Sequence, residues 1–110
     1  MPFKDWFVWY SMKKTSKNLD GTSFHFDTVK CSKQQLVDLF GEPDYRGDIE
    51  DKVQNEWGME LSNGDVFTIY DWKEYREYSR EAMIEWHIGG HNRTVTSQAK
   101  QLIEEKIKNG

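Results

Sequence analysis

Val53-Gln54-Asn55-Glu56-Trp57-Gly58-Met59-Glu60-Leu61 alternates between two faces, one of them apolar through Val53, Trp57, Met59 and Leu61, with Asn55 as its single polar member. Side chains that alternate with a period of two belong to a strand with one buried face. Ser62-Asn63-Gly64-Asp65 follows, and an Asn-Gly pair suits a tight hairpin, whose two central residues must both accept positive φ. The chain returns through Val66-Phe67-Thr68-Ile69 into Tyr70-Asp71-Trp72-Lys73. A third strand, from Ala82, runs into Trp86-His87-Ile88-Gly89-Gly90-His91-Asn92. These segments form a meander over Lys52–Leu61, Asp65–Asp71 and Ala82–Ile88. The connection Lys73–Glu81 interleaves Tyr75 and Tyr78 with Arg76, Arg80 and glutamates, a composition that fits a long loop or a single helical turn.

Upstream, Ser32 caps a helix and Gln35, three residues later, completes a capping box in which each side chain satisfies an orphan backbone donor. Leu36, Val37, Leu39 and Phe40 give that helix an apolar stripe, and Gly41 followed by Pro43 ends it. Phe24–Thr28 alternates again. Phe3–Tyr10 is dense in rings and reads as a strand paired with it across a polar stretch, Lys13–Ser23, whose turn signal is Asp20-Gly21. Thr94 or Thr96 caps a last helix with Ala99, Leu102, Ile103 and Ile107 at helical spacing. The order β-β-α-β-β-β-α predicts one α+β domain over residues 1–110. Its mostly antiparallel sheet combines an N-terminal hairpin with the three-strand meander, and two helices cover one face.

At 110 residues the chain supports one core with little to spare. Hydrophobic content is 36% while aromatics reach 15%, so a few large rings carry the packing. Net charge is −4, distributed as +2 over residues 1–30 (five basic, three acidic), −6 over 31–70 (three basic, nine acidic) and zero over 71–110 (seven of each). The acidic middle, with Glu42, Asp44, Asp48, Glu50 and Asp51, repels a nucleic-acid backbone and argues against coating of duplex DNA. Cys31 stands alone, so no intrachain disulfide is available and a reducing compartment is expected. No apolar run approaches the length of a membrane span, and Lys4 and Asp5 interrupt any leader-like segment. Cytoplasmic residence follows, and in that setting the acceptor sequence Asn92-Arg93-Thr94 is accidental.

The polar and aromatic residues at the strand ends are the candidate site. Gly89-Gly90 read as a turn lets amides approach an anion, a capped helix follows, and Asn92 and Arg93 sit in the same turn. Trp72, Trp86, Tyr70 and Tyr75 offer planes on which a base stacks. The candidate ligand-binding set is therefore Tyr70, Trp72, Arg76, Trp86, His87, Gly89, Gly90, Asn92 and Arg93. Each has a plainer reading as well, with Trp57 and Trp86 as core rings and the diglycine as a simple turn. His87 and His91 lie four apart, with His25, Asp71 and Glu85 as further donors, but Gly89-Gly90 breaks the helix that such a pair needs for zinc. No metal and no cofactor are expected. Asp71 and His87 form an acid–base pair only if their strands are neighbours, and Cys31 lacks an evident base. A hydrolase or transferase also needs an oxyanion site and a water-excluding lid, so the sequence points away from catalysis. The acidic run Asp44, Asp48, Glu50 and Asp51 is either a solvated loop or a docking face for a basic partner.

Taken in combination, Phe40-Gly41-Glu42-Pro43, Glu56-Trp57, Asn63-Gly64, Ile69-Tyr70-Asp71-Trp72-Lys73 and Trp86-His87-Ile88-Gly89-Gly90 resemble a family of small bacteriophage proteins, largely of unassigned function. The likeness spans residues 24–105 and leaves out the N-terminal aromatic segment. It implies a phage product acting in the host cytoplasm against bacterial immunity, by sequestering a nucleotide second messenger or by occluding a defence protein. No site residue transfers with it. The sequence reading is a non-enzymatic protein that captures a small phosphorylated ligand, a nucleotide immune signal above all, in a pocket shared within a homo-oligomer. The alternative is a protein-directed inhibitor of a host defence factor or nuclease, using the 44–51 or the 73–81 loop.

Overall fold

Trp57 and Trp86 meet edge to face at the centre of the protein, ring centroids 5.4 Å apart, and neither is exposed. The computed structural model describes residues 12–109. In chain order these form β1 (Met12–Lys14), β2 (Ser23–Ser32), α1 (Lys33–Phe40), β3 (Tyr45–Arg46), β4 (Asn55–Leu61), β5 (Val66–Tyr70), β6 (Met83–Gly90) and α2 (Arg93–Asn109). All strand pairs are antiparallel, in the order β1-β4-β5-β6-β2, with β3 also pairing with β4. β1 takes Met59–Leu61 and β3 takes Asn55–Glu56, so the two short strands divide one edge of β4. The fold is α+β, with helices on one face of the sheet.

The meander forms where alternation places it. Trp57, Met59 and Leu61 of β4, Phe67 and Ile69 of β5, and Ile84, Trp86 and Ile88 of β6 are buried on the helix-covered face, where Val95, Ala99, Leu102 and Ile103 of α2 close over them. The hairpin differs in one respect from expectation. Only Gly64 has positive φ (93°) and Asn63 does not. Gly64 N–H donates to the Leu61 carbonyl at 2.9 Å and the Asn63 side chain accepts from Asp65 N–H at 3.0 Å. One left-handed residue after an ordinary turn closes this four-residue loop.

α1 carries the predicted capping box, Ser32 Oγ accepting from Gln35 N–H and Gln35 Oε1 from Ser32 N–H, and it ends at Gly41 with φ 83°. Both indoles bind the chain at its ends. Trp86 Nε1 donates to the Cys31 carbonyl at 2.9 Å and Trp57 Nε1 to the Gly41 carbonyl at 2.8 Å. α2 starts at Arg93 and is capped by Asn92, whose side chain accepts from Val95 N–H at 3.0 Å, rather than by Thr94 or Thr96. The Thr96 hydroxyl instead donates to the buried Asp27 carboxylate at 2.7 Å.

The Phe3–Tyr10 strand lies outside the described residues. Phe24–Thr28 is part of the longer β2, whose partner here is β6, and Lys73–Glu81 is irregular rather than helical. Between the pairs Phe24–Gly89 and Thr28–His87, three residues of β2 stand against one of β6, and Phe26 takes φ 74°. This bulge turns Asp27 towards α2 and leaves Phe26 79% exposed.

Trp86→Phe removes the indole N–H from the Cys31 carbonyl and leaves a void beside Trp57. The expected loss is about 2–3 kcal/mol of unfolding free energy in urea; a change below about 0.5 kcal/mol, the level of an unremarkable surface substitution, would contradict the role assigned to this pair.

Candidate functional site

The structure separates most of the residues that the sequence grouped. Trp86 is a core ring, because its place in the alternation of β6 puts it with Ile84 and Ile88 beneath the helices. Gly89 and Gly90 are not a bend. They are the last residues of β6, each paired with β5 on one side and β2 on the other, so their peptide groups belong to the sheet. Small size is what the positions require. A Cβ on Gly89 would lie 2.5 Å from Thr68 Oγ1, and one on Gly90 would lie 2.9 Å from Thr96 Cγ2 in the first turns of α2. Asn92 is occupied as the cap of α2, and Arg93 is exposed at the start of that helix.

Tyr70, Trp72 and His87 do come together, on the open face of the sheet. His87 pairs with Tyr70 across β5–β6. Its ring stacks on Phe24 at 4.1 Å (19° between planes) and lies 6.0 Å from Trp72 and 5.6 Å from Tyr70. Burial lowers the His87 pKa from its usual 6.5, with Glu85 pulling weakly the other way. This imidazole is therefore a neutral member of an aromatic patch, not a cation for phosphate. Trp72, 37% exposed, has the Lys73 ammonium 5.5 Å from its ring.

Asp71 points to the other face and cannot serve as His87's partner. It is 1% exposed and takes four hydrogen bonds: Oδ1 from the amides of Gln54 (2.7 Å) and Asn55 (3.0 Å), Oδ2 from Asn55 Nδ2 (3.3 Å) and the Tyr78 hydroxyl (2.6 Å). A buried carboxylate is tolerable only when donors surround it in this way. The network also accounts for Asn55, the polar outlier on the apolar face of β4. Burial and the Asp71 hydrogen bond push the Tyr78 pKa far up, so its hydroxyl remains a donor.

Tyr78 and Asn55 form one wall of a cleft of about 390 Å³, whose lining also includes Gln54, Gly47 and Glu77 and the cations Lys33, Arg46 and Arg80. The three cations come from different elements: Lys33 opens α1, Arg46 ends β3, and Arg80 sits in the loop before β6. Arg46 shares its sheet register with Asn55, which places it on the helix-covered side. The Arg80 carbonyl accepts from Gln34 N–H at 2.9 Å and so fixes the loop to the start of α1. Burial lowers the Lys33 pKa, and the Arg80 and Arg46 guanidinium groups lower it further, against Glu42 and Asp71. The two guanidinium groups thus disfavour the ammonium beside them, and like charges gathered in one concavity favour an anion between them. Arg76 stands beside this cleft: its guanidinium carbon is 5.7 Å from the Tyr78 ring centroid, and it pairs with Glu74 at 3.1 Å.

Nothing in the spacing of Lys33, Arg46 and Arg80 signals this convergence. Arg46 lies in an acidic run and Lys33 beside a capping box, and only the strand pairing of β3 brings them together. Within the acidic run, Asp44 is paired with Lys14 at 2.8 Å and accepts from Gly58 N–H at 2.8 Å, while Asp51 accepts from Asp48 N–H at 2.8 Å. Asp48 and Glu50 remain exposed. Among the described residues no three His, Cys, Asp or Glu side chains gather as metal ligands. Cys31 is fully buried, and burial pushes its pKa up to about 12, which leaves it a poor nucleophile. No helix among the described residues is long and apolar enough to cross a membrane. No protein-family model matches the chain, and no curated protein matches it either.

The aromatic patch has a pH signature. His87 is more basic in the unfolded chain than in the native protein, so unfolding takes up protons once the pH falls below the ordinary value of 6.5. Its contribution is fully present above that value and is lost as the pH drops through the lower native pKa. Urea titrations at neutral pH and near pH 5 should show the wild type losing more stability than His87→Phe, which keeps the stacking without the titration; equal losses would contradict the assignment.

Proposed function

We propose that this protein binds a small phosphorylated ligand in the cleft between Lys33, Arg46 and Arg80, without chemical turnover. The observation that carries the reading is the convergence of three cations from three elements on one polar concavity. Two guanidinium groups suit phosphoryl oxygens because their donors form planar forks, and an ammonium adds a point charge. The Asp71-centred network stiffens the opposite wall, so little side-chain ordering is left to occur on binding. The likeness to small phage proteins narrows the ligand class to a nucleotide signal of host immunity, which is held rather than hydrolysed. The phosphate site is the cationic cleft, not the diglycine, and it lies on the opposite side of the sheet from Tyr70, Trp72 and His87.

A second reading is favoured by one specific feature, the exposed rings of Phe26 and Trp72 beside Phe24 and His87. An aromatic surface of this kind suits a protein partner, and the residual charges of Asp48 and Glu50 would face a basic one.

Thermal melts against linear and cyclic nucleotides and pyrophosphate separate the two. A ligand that binds only the native state raises stability by about 2.7 kcal/mol at one hundred times its Kd. Arg46→Ala and Arg80→Ala are each expected to weaken binding roughly tenfold, whereas Arg93→Ala leaves it unchanged. The absence of a shift with every phosphorylated compound would remove the proposal.

A further inference from the structure

We infer that the Glu42 carboxylate is a built-in anion occupying the guanidinium pair of the cleft, and that a phosphorylated ligand binds by displacing it. This inference rests on the reading of the cleft given above. Glu42 Oε1 accepts from Arg46 Nη2 at 2.7 Å and from Arg80 Nη2 at 3.0 Å, and Oε2 accepts from Arg80 Nη1 at 3.2 Å. One carboxylate thus spans both guanidinium groups, as two phosphoryl oxygens would. The Arg80 hydrogen bonds and the nearby positive charges of Arg80, Arg46 and Lys33 hold its carboxyl below the usual range, so it stays ionised at neutral pH.

The main chain around Glu42 is fixed in place. Gly41 turns with φ 83°, its carbonyl is held by Trp57 Nε1 at 2.8 Å, and the Glu42 carbonyl accepts from Lys14 Nζ at 2.6 Å. Pro43 follows with its own φ restricted. The Phe40-Gly41-Glu42-Pro43 motif therefore does more than stop a helix, since it presents a carboxylate to two arginines from an anchored bend. The side chain itself is about half exposed, at 47%, so it can swing into water without disturbing that bend. Exposed ion pairs are individually weak, which makes the occupant replaceable by an anion of higher charge. A ligand bearing a dianionic phosphoryl group is favoured over a monoanionic carboxylate or diester, because only the former offers more charge than the group it displaces.

The test is calorimetric titration of the full-length protein with pyrophosphate and, separately, with acetate. The variants are Glu42→Gln, which keeps shape and loses charge, and Glu42→Asp, which keeps charge. Displacement predicts pyrophosphate binding to Glu42→Gln roughly fivefold tighter or more than to the wild type, with measurable acetate binding only in that variant and near wild-type behaviour in Glu42→Asp. Unchanged or weaker pyrophosphate binding in a folded Glu42→Gln, while Arg80→Ala still weakens it roughly tenfold, would overturn the displacement but leave the cleft as the binding site. Absence of pyrophosphate binding in both wild type and Glu42→Gln would overturn the two together.

Discussion

The edge-to-face contact of Trp57 and Trp86 sets the position of the cationic cleft. Each indole fills the core on the helix-covered face and also spends its N–H on the backbone at one end of α1, at Cys31 and at Gly41. A helix of eight residues has little stability of its own, so tertiary anchoring at both ends determines where it lies. Lys33 follows one anchor point closely and Glu42 follows the other directly. Tyr78, which walls the cleft, packs edge-on to Trp86 at 6.4 Å. Core packing and site geometry are thus one problem in this protein.

The sheet then divides two chemistries. On its helix side lie the cations and the buried Asp71 network; on its open side lie Phe24, Tyr70, Trp72 and the neutral His87. The division follows from strand periodicity, since Tyr70 and Asp71 are adjacent in sequence and must face opposite ways. A receptor in which stacking rings and phosphate donors share one rim is therefore not what this fold makes from these residues. The small residues at the end of β6 serve close packing on both faces, with Gly89 beneath Thr68 and Gly90 beneath α2.

What the sequence made legible was local. The alternation of Val53–Leu61, the Ser32–Gln35 box and the Gly41-Pro43 stop each state a backbone preference over a few residues, and each appears in the fold. The site depends on long-range pairing instead. β3 is only two residues long and sits in an acidic run, so no periodicity marks it, yet it delivers Arg46 to Lys33 and Arg80. Trp86 as a core ring is legible in the alternation Ile84-Trp86-Ile88 of its own segment. The diglycine is not, because the register with β2 and β5 that makes it a packed strand end cannot be seen in a single segment. Asn55 lay between these cases. Its polarity on an apolar face was visible, but its partners Asp71 and Tyr78 were not.

If Lys33, Arg46 and Arg80 meet phosphate at the start of α1, pyrophosphate added to the protein will move their amide and guanidinium resonances in a nitrogen–proton correlation spectrum. Lys33, Arg46, Gly47 and Arg80 are expected to shift together with a single saturation curve, while Gly89, Gly90 and Asn92 stay in place. Shifts confined to the Tyr70–Trp72–His87 face, or to the diglycine and the start of α2, would contradict this assignment.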